Sequence, residues 1–284
     1  TDPNYTSVKN LLLGDEIATN YYGTRVLVGC SGYSTTTWSS GSGYYNGIYK
    51  AYEQSTPGGT WNKIGNDFNQ GTVRFNQQGD RTIGMNHNTD SSIDGKYVIT
   101  GSSGGAGDGS VPWRAYEYDG SDWIQRGTDP IRDTTSGYYS LGEAQKINND
   151  GTVIVVGDTY SQCSLHAYEW NGSDWQLKGN VIVYPYSDTN SYFGRRVAIN
   201  GDGTIIATSA SQSDEYASVY GAVFVYQFIN GDWVQLGNDI YGKARYEEPG
   251  FYGFSMNNAG NRIVFGCHSN DDAGDDAGCM RIYE

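Results

Sequence analysis

The sequence contains few proline, methionine and cationic residues, and it has no long apolar run. Its 284 residues include 6 Pro, 3 Met and 18 Lys and Arg, with no stretch of 18 apolar residues that could form a transmembrane helix. The 32 Asp and Glu give a formal net charge of −14, which repels polyanions. We therefore expect no nucleic-acid partner and no insertion into a membrane.

Glycine and tyrosine are abundant, with 40 Gly and 25 Tyr, and they fall within an internal repeat. In each copy an aromatic segment containing Tyr leads to a tight turn, then to Trp, and then to Gly four residues later. A fifth copy is split between MRIYE at 280–284 and LLLGDEI at 11–17. The other copies are WRAYEYDGSDWIQRG (113–127), LHAYEWNGSDWQLKG (165–179), VFVYQFINGDWVQLG (223–237) and the looser IYKAYEQSTPGGTWNKIG (48–65).

This repeat predicts an all-β fold. Each unit holds alternating and β-branched segments separated by Asn-Gly or Asp-Gly turns, which is typical of antiparallel hairpins. Four such strands in every 50 or so residues predict a single five-bladed β-propeller over residues 1–284, with each repeated Trp packed between blades. The copies are marked by Gly14, Gly65, Gly127, Gly179 and Gly237.

The sequence leaves two ways of closing the ring. In one, residues 5–17 form the outer strand of the last blade, and YYGTRVLVG (21–29) is an inner strand. In the other, RVLVGC (25–30) corresponds to RIVFGC (262–267), TSVKN is the first inner strand, and the last blade lacks its outer one. Sequence similarity favours the second arrangement. We predict the first, a ring latched by the N-terminal strand, because an unpaired edge strand invites aggregation.

Two segments carry a family resemblance. FGRRVAINGDGTIIATSAS (193–211) and DWVQLGNDI (232–240) resemble the FG-GAP repeat of integrin α-subunit propellers, and more closely its secreted variants with W-x-x-L-G-N-D-I segments. The resemblance spans essentially the whole chain, although residues 18–47 fit poorly. It implies an extracellular adhesion, glycan-binding or surface-assembly protein.

The resemblance also implies calcium, which such propellers often bind between their first two strands. In MNHNTDSSIDG (85–95), oxygen-bearing side chains stand at positions one, three, five and nine of the expected loop. Ser91 replaces the usual Gly and two ligands are neutral, so the predicted site is weak. The turns NNDG, NGDG and NNAG are too short for an ion, and NDDAGDDAG (270–278) lacks the spacing. The candidate ligands are Asn86, Asn88, Asp90 and Asp94.

Sequons and cysteines favour an extracellular location. Asn4 and Asn171 begin N-glycosylation sequons, with Asn171 at a predicted hairpin tip, although a chain rich in Asn, Ser and Thr also produces sequons by chance. Cys267 ends one predicted strand and Cys279 begins the next, so a disulfide between them is predicted. Cys30 and Cys163 are expected to be unpaired.

No catalytic motif is recognisable. The serious enzyme alternative, a five-bladed glycoside hydrolase, needs paired carboxylates roughly 5–9.5 Å apart on inner strands. The predicted inner strands offer Arg25, Arg195, Arg196 and Glu143 instead. We therefore predict a non-catalytic structural or adhesive module, with other protein subunits or cell-surface glycans as partners. A lectin-like propeller is the alternative, but its binding sites should recur with the repeat, and the loops differ sharply.

Overall fold

The computed structural model describes most of the chain and is all-β there. It contains 21 β-strands in five antiparallel sheets. No helix among the described residues combines the length and apolar character needed to cross a membrane. The described residues are 12–31, 44–56, 58–74, 83–85, 87, 89, 93–101, 111–130, 141–159, 163–186, 191–211, 220–244, 247–275 and 277–284.

The first two sheets each have four strands, hydrogen-bonded in chain order. The first consists of β1 (Leu12–Thr19), β2 (Arg25–Ser31), β3 (Tyr44–Glu53) and β4 (Asn62–Arg74). The second consists of β5 (Ile83–Met85), β6 (Tyr97–Gly101), β7 (Trp113–Tyr118) and β8 (Trp123–Arg126).

The third and fourth sheets repeat this order and add one short strand each, which pairs with the third strand of its sheet. The third consists of β9 (Leu141–Ile147), β10 (Val153–Asp158), β11 (Ser164–Trp170), β12 (Trp175–Leu177) and the short β13 (Ile182–Val183). The fourth consists of β14 (Phe193–Ile199), β15 (Ile205–Ala210), β16 (Ala222–Ile229), β17 (Asp232–Gln235) and the short β18 (Ile240–Tyr241).

The fifth sheet has three strands within the described part of the chain. They are hydrogen-bonded in the order β19, β20, β21. By order, β21 corresponds to the third strand of the other sheets, so the position of a fourth strand lies beyond its outer edge. The strands are β19 (Phe254–Met256), β20 (Ile263–Cys267) and β21 (Cys279–Tyr283).

An asparagine at the end of the first strand shapes the first turn of several sheets. Asn148 Oδ1 accepts hydrogen bonds from the amides of Thr152 and Val153, both at 2.9 Å. Asn200 makes the same pair of contacts with Thr204 and Ile205. Asn side chains commonly organise turns in this way, and the short NNDG and NGDG segments are hairpin turns, as the sequence predicts.

The sheets pack face to face in chain order. Four clusters of buried side chains each join two successive sheets. One of them combines Leu27 and Phe68 of the first sheet with Val98 and Trp123 of the second. No such cluster joins the fifth sheet to the first among the residues described.

The structure corrects the predicted N-terminal latch. Residues 12–17, which the preferred register places on the last blade, lie in β1 and pair with β2 of the first sheet. RVLVGC is the second strand of its sheet, as RIVFGC is of the fifth, so the alternative correspondence is the observed one. The inner strand is nevertheless 12–19 and not TSVKN, which lies outside the described residues. Gly14 therefore stands inside an inner strand and does not follow an outer one.

Candidate functional site

Three of the repeated tryptophans join their sheet to the one before it. The indole Nε1 of Trp123 donates to Ile64 O at 3.2 Å, that of Trp175 to Arg126 O at 3.0 Å, and that of Trp233 to Lys178 O at 2.7 Å. All three rings are at least nine-tenths buried. The prediction that these rings pack between blades agrees with this geometry.

The aspartate before each of these tryptophans completes the contact. Asp232 Oδ1 accepts from the Asn180 amide at 2.9 Å, and its Oδ2 accepts from Asn180 Nδ2 at 2.6 Å. Asp174 holds Thr128 and Asp122 holds Asn66 in the same way. The backbone amides of Asn66, Thr128 and Asn180 are the main cause that lowers the pKa of the respective aspartate. We call this pairing of Asp–Trp with Gly–Asn or Gly–Thr the Asp–Trp clasp.

The glycine of the clasp is required by its backbone and by its neighbour. Gly127 has φ +79°, and a Cβ there would lie 2.5 Å from Asp174 Oδ1 and 2.9 Å from the Trp175 ring. The Asp–Trp neighbours lie 2.8–2.9 Å from the Cβ position at Gly65 and 3.0–3.1 Å from it at Gly179. A side chain at these positions would therefore clash as well as strain the backbone.

Two half-clasps lack their counterpart within the described residues. Gly237 has φ +75° like the others, yet no described atom lies within 4 Å of its Cβ position. The first sheet's Trp61 is 43% exposed, whereas the other clasp tryptophans are 6–8% exposed. Within the described residues, Gly237–Asn238 thus has no Asp–Trp against it, and the Trp61 indole has no carbonyl of a preceding sheet to donate to.

In chain order, Gly237–Asn238 follows the last long strand of the fourth sheet and Trp61 precedes β4 of the first, so in a closed ring of five blades both would border the position of a fourth strand in the fifth sheet. On β21, the side chains of Met280 and Ile282 are 70% and 61% exposed. Beside Trp61 lies an apolar groove of about 480 Å³. Its lining residues are Thr19, Gly23, Val26, Tyr52 and Trp61. We call β21, Gly237–Asn238 and this groove the junction surface.

A second cluster of reactive groups lies at one end of the β20–β21 hairpin. Cys267 and Cys279 are directly opposite in the strand register, and both are free thiols. The fully buried Glu247 carboxylate accepts from Asn270 Nδ2 at 2.9 Å, from the Arg281 guanidinium and from the Cys279 thiol at 3.7 Å. The predicted disulfide stays a prediction, and the register brings its two residues together.

The same cluster sets limits on metal binding. One ligand atom each from Glu247, Cys267 and Cys279 lies within 4.8 Å of the others, a set that suits a thiophilic divalent cation such as zinc. A structural zinc site takes four ligands, and this group of described residues has three. Arg281 moreover already pairs with the carboxylate. Burial is the main cause that raises the pKa of the Cys267 thiol to about 12, so the neutral thiol dominates at neutral pH.

The predicted calcium loop is described at one ligand. Asp94, 2% exposed, accepts from the amide of Tyr21 at 2.9 Å and from that of Tyr22 at 3.1 Å, so both carboxylate oxygens connect the second sheet's first turn to that of the first sheet. Asn86, Asn88 and Asp90 lie outside the described residues. Calcium binding stays a prediction, and at Asp94 it would have to share oxygens that already accept two amides.

Charged groups near the centre of the inner strands are mainly cationic. Part of the Lys146 side chain on β9 is exposed to solvent. Its ammonium group is surrounded by protein, and this desolvation is the main cause that lowers its pKa. It interacts electrostatically with Glu16 of β1 and Arg196 of β14. The predicted inner-strand residue Glu143 lies on β9, but its side chain is outside the described part. Arg25 is on the second strand β2 and pairs with Glu53 at 2.7 Å.

Of the two glycosylation candidates, the structure describes Asn171. It is exposed in the turn between β11 and β12, and its Oδ1 accepts from the amides of Ser173 and Asp174. A glycan there would point away from the sheets, so the position agrees with the predicted hairpin tip. Asn4 lies outside the described residues.

Solved structures with a similar fold identify the architecture. A 6-phosphogluconolactonase candidate from Bacteroides uniformis matches 97% of this chain and 69% of its own at TM-score 0.56 and 10% identity. The β-propeller domain of the Trilobed protease from Pyrococcus furiosus matches with the same coverages at TM-score 0.50 and 10% identity. Hydrazine synthase from Kuenenia stuttgartiensis matches 95% of this chain and 60% of its own at TM-score 0.50 and 11% identity.

The chain has a β-propeller fold. At these identities the likeness establishes the fold and nothing about activity. No protein-family model matches the chain. No curated protein sequence matches it either.

Sequence reasoning missed the aspartate half of the clasp and the buried Glu247. The clasp signal was readable, because Asp–Trp stands at 122–123, 174–175 and 232–233, and each pair has Gly–Asn or Gly–Thr one repeat earlier. Glu247 lies outside the repeat, in the segment between β18 and β19. No local sequence pattern predicts that its side chain is buried.

Proposed function

We propose that this protein is a non-catalytic, extracellular propeller module with a structural or adhesive role in a surface or filamentous assembly. The observation that carries the proposal is the use of the repeated residues. The Asp–Trp pairs of the three complete repeats form clasps with Gly65, Gly127 and Gly179 between blades, so these residues are not left to build a recurring ligand pocket. Specific contacts with other subunits would then come from surfaces that do not repeat.

We also propose a ring of five blades of the FG-GAP type. Five sheets follow one another in the described chain, and successive sheets share buried clusters. The best-matching segment, FGRRVAINGDG, lies on the inner strand β14 and its turn, where the resemblance implies it should be.

A lectin-like function is the second candidate. It is favoured by the groove beside Trp61 and Tyr52, because aromatic rings next to an accessible cleft can stack on the apolar faces of sugars. Trp61, which lines the groove, is 43% exposed, whereas its counterparts Trp123, Trp175 and Trp233 in the other described blades are 6–8% exposed. This asymmetry supports the structural role over a multivalent lectin.

An enzymatic role is supported less. Among the described inner-strand groups, Lys146 and Arg196 accompany Glu16, whereas glycoside hydrolysis would need two carboxylates facing each other. The proposal therefore remains non-catalytic.

A glycan array combined with light scattering tests the proposed function. Binding of the purified chain to subunits of its own assembly, or multimer formation without sugar binding, is the expected result. A monomer that binds one class of sugar, with Trp61→Ala abolishing the signal and Ile229→Ala leaving it intact, would instead establish the lectin. Ile229 is a suitable control because it is an exposed apolar residue on another blade.

A further inference from the structure

The junction surface has the features of an unfilled strand position. We propose that it binds an extended segment of another polypeptide, carrying Asp–Trp followed four residues after the Trp by Gly, as the fourth strand of the fifth blade. This inference rests on the proposed structural role and names the chemistry of the partner.

The outer edge of β21 provides the backbone of the site. The Gly266 amide donates to Gly253 O, and Gly266 O accepts from the Gly250 amide, so both polar groups of Gly266 face away from β21. Its cross-strand partner Met280 therefore directs its own amide and carbonyl outward, and by alternation so does Ile282. An added strand would pair with these groups, which is the mode of recognition called β-augmentation.

The Gly237–Asn238 position, unoccupied within the described residues, determines which residues the added strand needs at its first end. At Gly65, Gly127 and Gly179 the space above the glycine is filled by the Asp–Trp of the next blade. Gly237–Asn238 has the same backbone conformation and offers the same amide and side-chain donors, but no described residue occupies it. An Asp–Trp on a strand beside β21 would reproduce the contacts that Asp232 and Trp233 make with Gly179–Asn180.

The exposed Trp61 determines which residue the added strand needs at its other end. Each buried clasp tryptophan donates to the carbonyl just before the clasp glycine of the preceding blade. In the proposed five-bladed ring the blade before that of Trp61 is the fifth, so the carbonyl before a glycine at the end of the added strand would accept from this indole and close the groove. One strand thus satisfies both half-clasps.

Residues 1–284 contain no spare segment of this chemistry. Their three Asp–Trp pairs are already held in clasps. Residues 1–11, TDPNYTSVKNL, contain no Trp, and Asp2 is followed by Pro. These residues therefore do not supply the match, and the proposed role in an assembly assigns the strand to another subunit.

A peptide with the sequence of residues 230–239, NGDWVQLGND, tests the proposal directly. Fluorescence anisotropy of the labelled peptide with the full chain should show saturable binding. Replacing its Trp with Ala should weaken binding about tenfold or more, since hydrogen-bonded aromatic anchors dominate such contacts. In the protein, Asn238→Ala and Trp61→Ala should each weaken binding several-fold, while Ile229→Ala should leave it unchanged.

Three results would overturn the proposal. They are no binding to the full chain, binding that ignores both the peptide Trp and the protein substitutions, and binding that occurs only after removal of residues 1–11. The last would mean that the chain's own N-terminal segment covers the edge. Loss of peptide binding would leave the proposed function to be decided by the glycan array. Sugar binding on the array together with intact peptide binding would overturn the proposed function and leave this proposal standing.

Discussion

At the residue scale, two buried titratable side chains, His166 and Glu247, are accommodated in different ways. His166 on β11 is 6% exposed, and its Nε2 lies 3.2 Å from Ser164 Oγ. Desolvation lowers its pKa to about 4, so the imidazole is neutral at pH 7. Glu247 shows the other solution, because its buried charge is compensated by Arg281, Asn270 and backbone amides.

His166 should make the protein sensitive to mild acid. Its folded pKa lies below the unfolded value of about 6.5, so its contribution is complete above pH 6.5 and is lost as the pH falls toward 4. Urea unfolding should show a loss of about 2–3 kcal/mol between pH 7 and pH 4.5 from this group. His166→Gln should flatten that slope, whereas the exposed His87→Gln should not. Equal slopes for all three proteins would contradict the assignment.

Cys267 and Cys279 should form a disulfide when the protein is produced in an oxidising compartment. Their opposite positions on β20 and β21 make bridging possible without a change of register. Non-reducing peptide mapping by mass spectrometry should recover the two peptides linked. Cys163→Ser, which removes a buried thiol of the third sheet, should leave the linkage intact. Recovery of both residues fully alkylated without prior reduction would refute the prediction.

At the element scale, the clasp converts a set of separate sheets into a connected body. Each sheet is a meander of short strands that cannot bury both faces alone. The indole donates to a carbonyl of the preceding sheet, and the neighbouring carboxylate accepts hydrogen bonds from the second residue after that carbonyl. Packing and hydrogen bonding therefore act at the same point of each interface.

Removing the indole N–H should distinguish a filled clasp from an empty one. Trp175→Phe keeps most of the apolar area but leaves Arg126 O without its 3.0 Å donor, so it should cost about 1–2 kcal/mol in the free energy of unfolding. Trp61→Phe is the matched control and should change it by less than about 0.5 kcal/mol, because Trp61 is 43% exposed. Equal costs at the two positions in urea titrations would show that Trp61 has a partner in solution.

At the scale of the whole molecule, the fifth sheet differs from the other four. Four interfaces carry buried clusters of the described residues, and three of them also carry a complete clasp. Among the described residues the fifth sheet instead ends at β21, with exposed apolar side chains at Met280 and Ile282. Such an edge is usually covered in a mature assembly, since it is a template for pairing with another chain.

Hydrogen exchange should report the state of this edge. The amides of Met280 and Ile282 point outward and should exchange within seconds to minutes, while those of β10, whose residues Val153–Asp158 are all buried, should be strongly protected. Addition of the peptide NGDWVQLGND should slow the two edge amides selectively. Strong protection of both amides in the free chain would show that another segment already pairs with β21.

The sequence by itself determined the repeating part of the protein. Alternation, β-branched strands and Asn-Gly turns are local signals, so the strands around β10, β15 and β20 and the short hairpin turns followed from them. The spacing of Trp and Gly predicted the packing between sheets because it recurs once per blade. These features depend on contacts that every repeat makes in the same way.

Only the tertiary structure decided what happens where the repeat is broken. The register of residues 12–19 depended on which strand they pair with, and a similar Leu–Gly sequence could not settle that. Asp94 joined two turns although its spacing suggested an ion ligand, because amides 72 and 73 residues away reach its oxygens. Trp61 and Gly237 likewise match the repeat in sequence. Only the packing of the described residues shows that Trp61 is exposed and that nothing lies against Gly237.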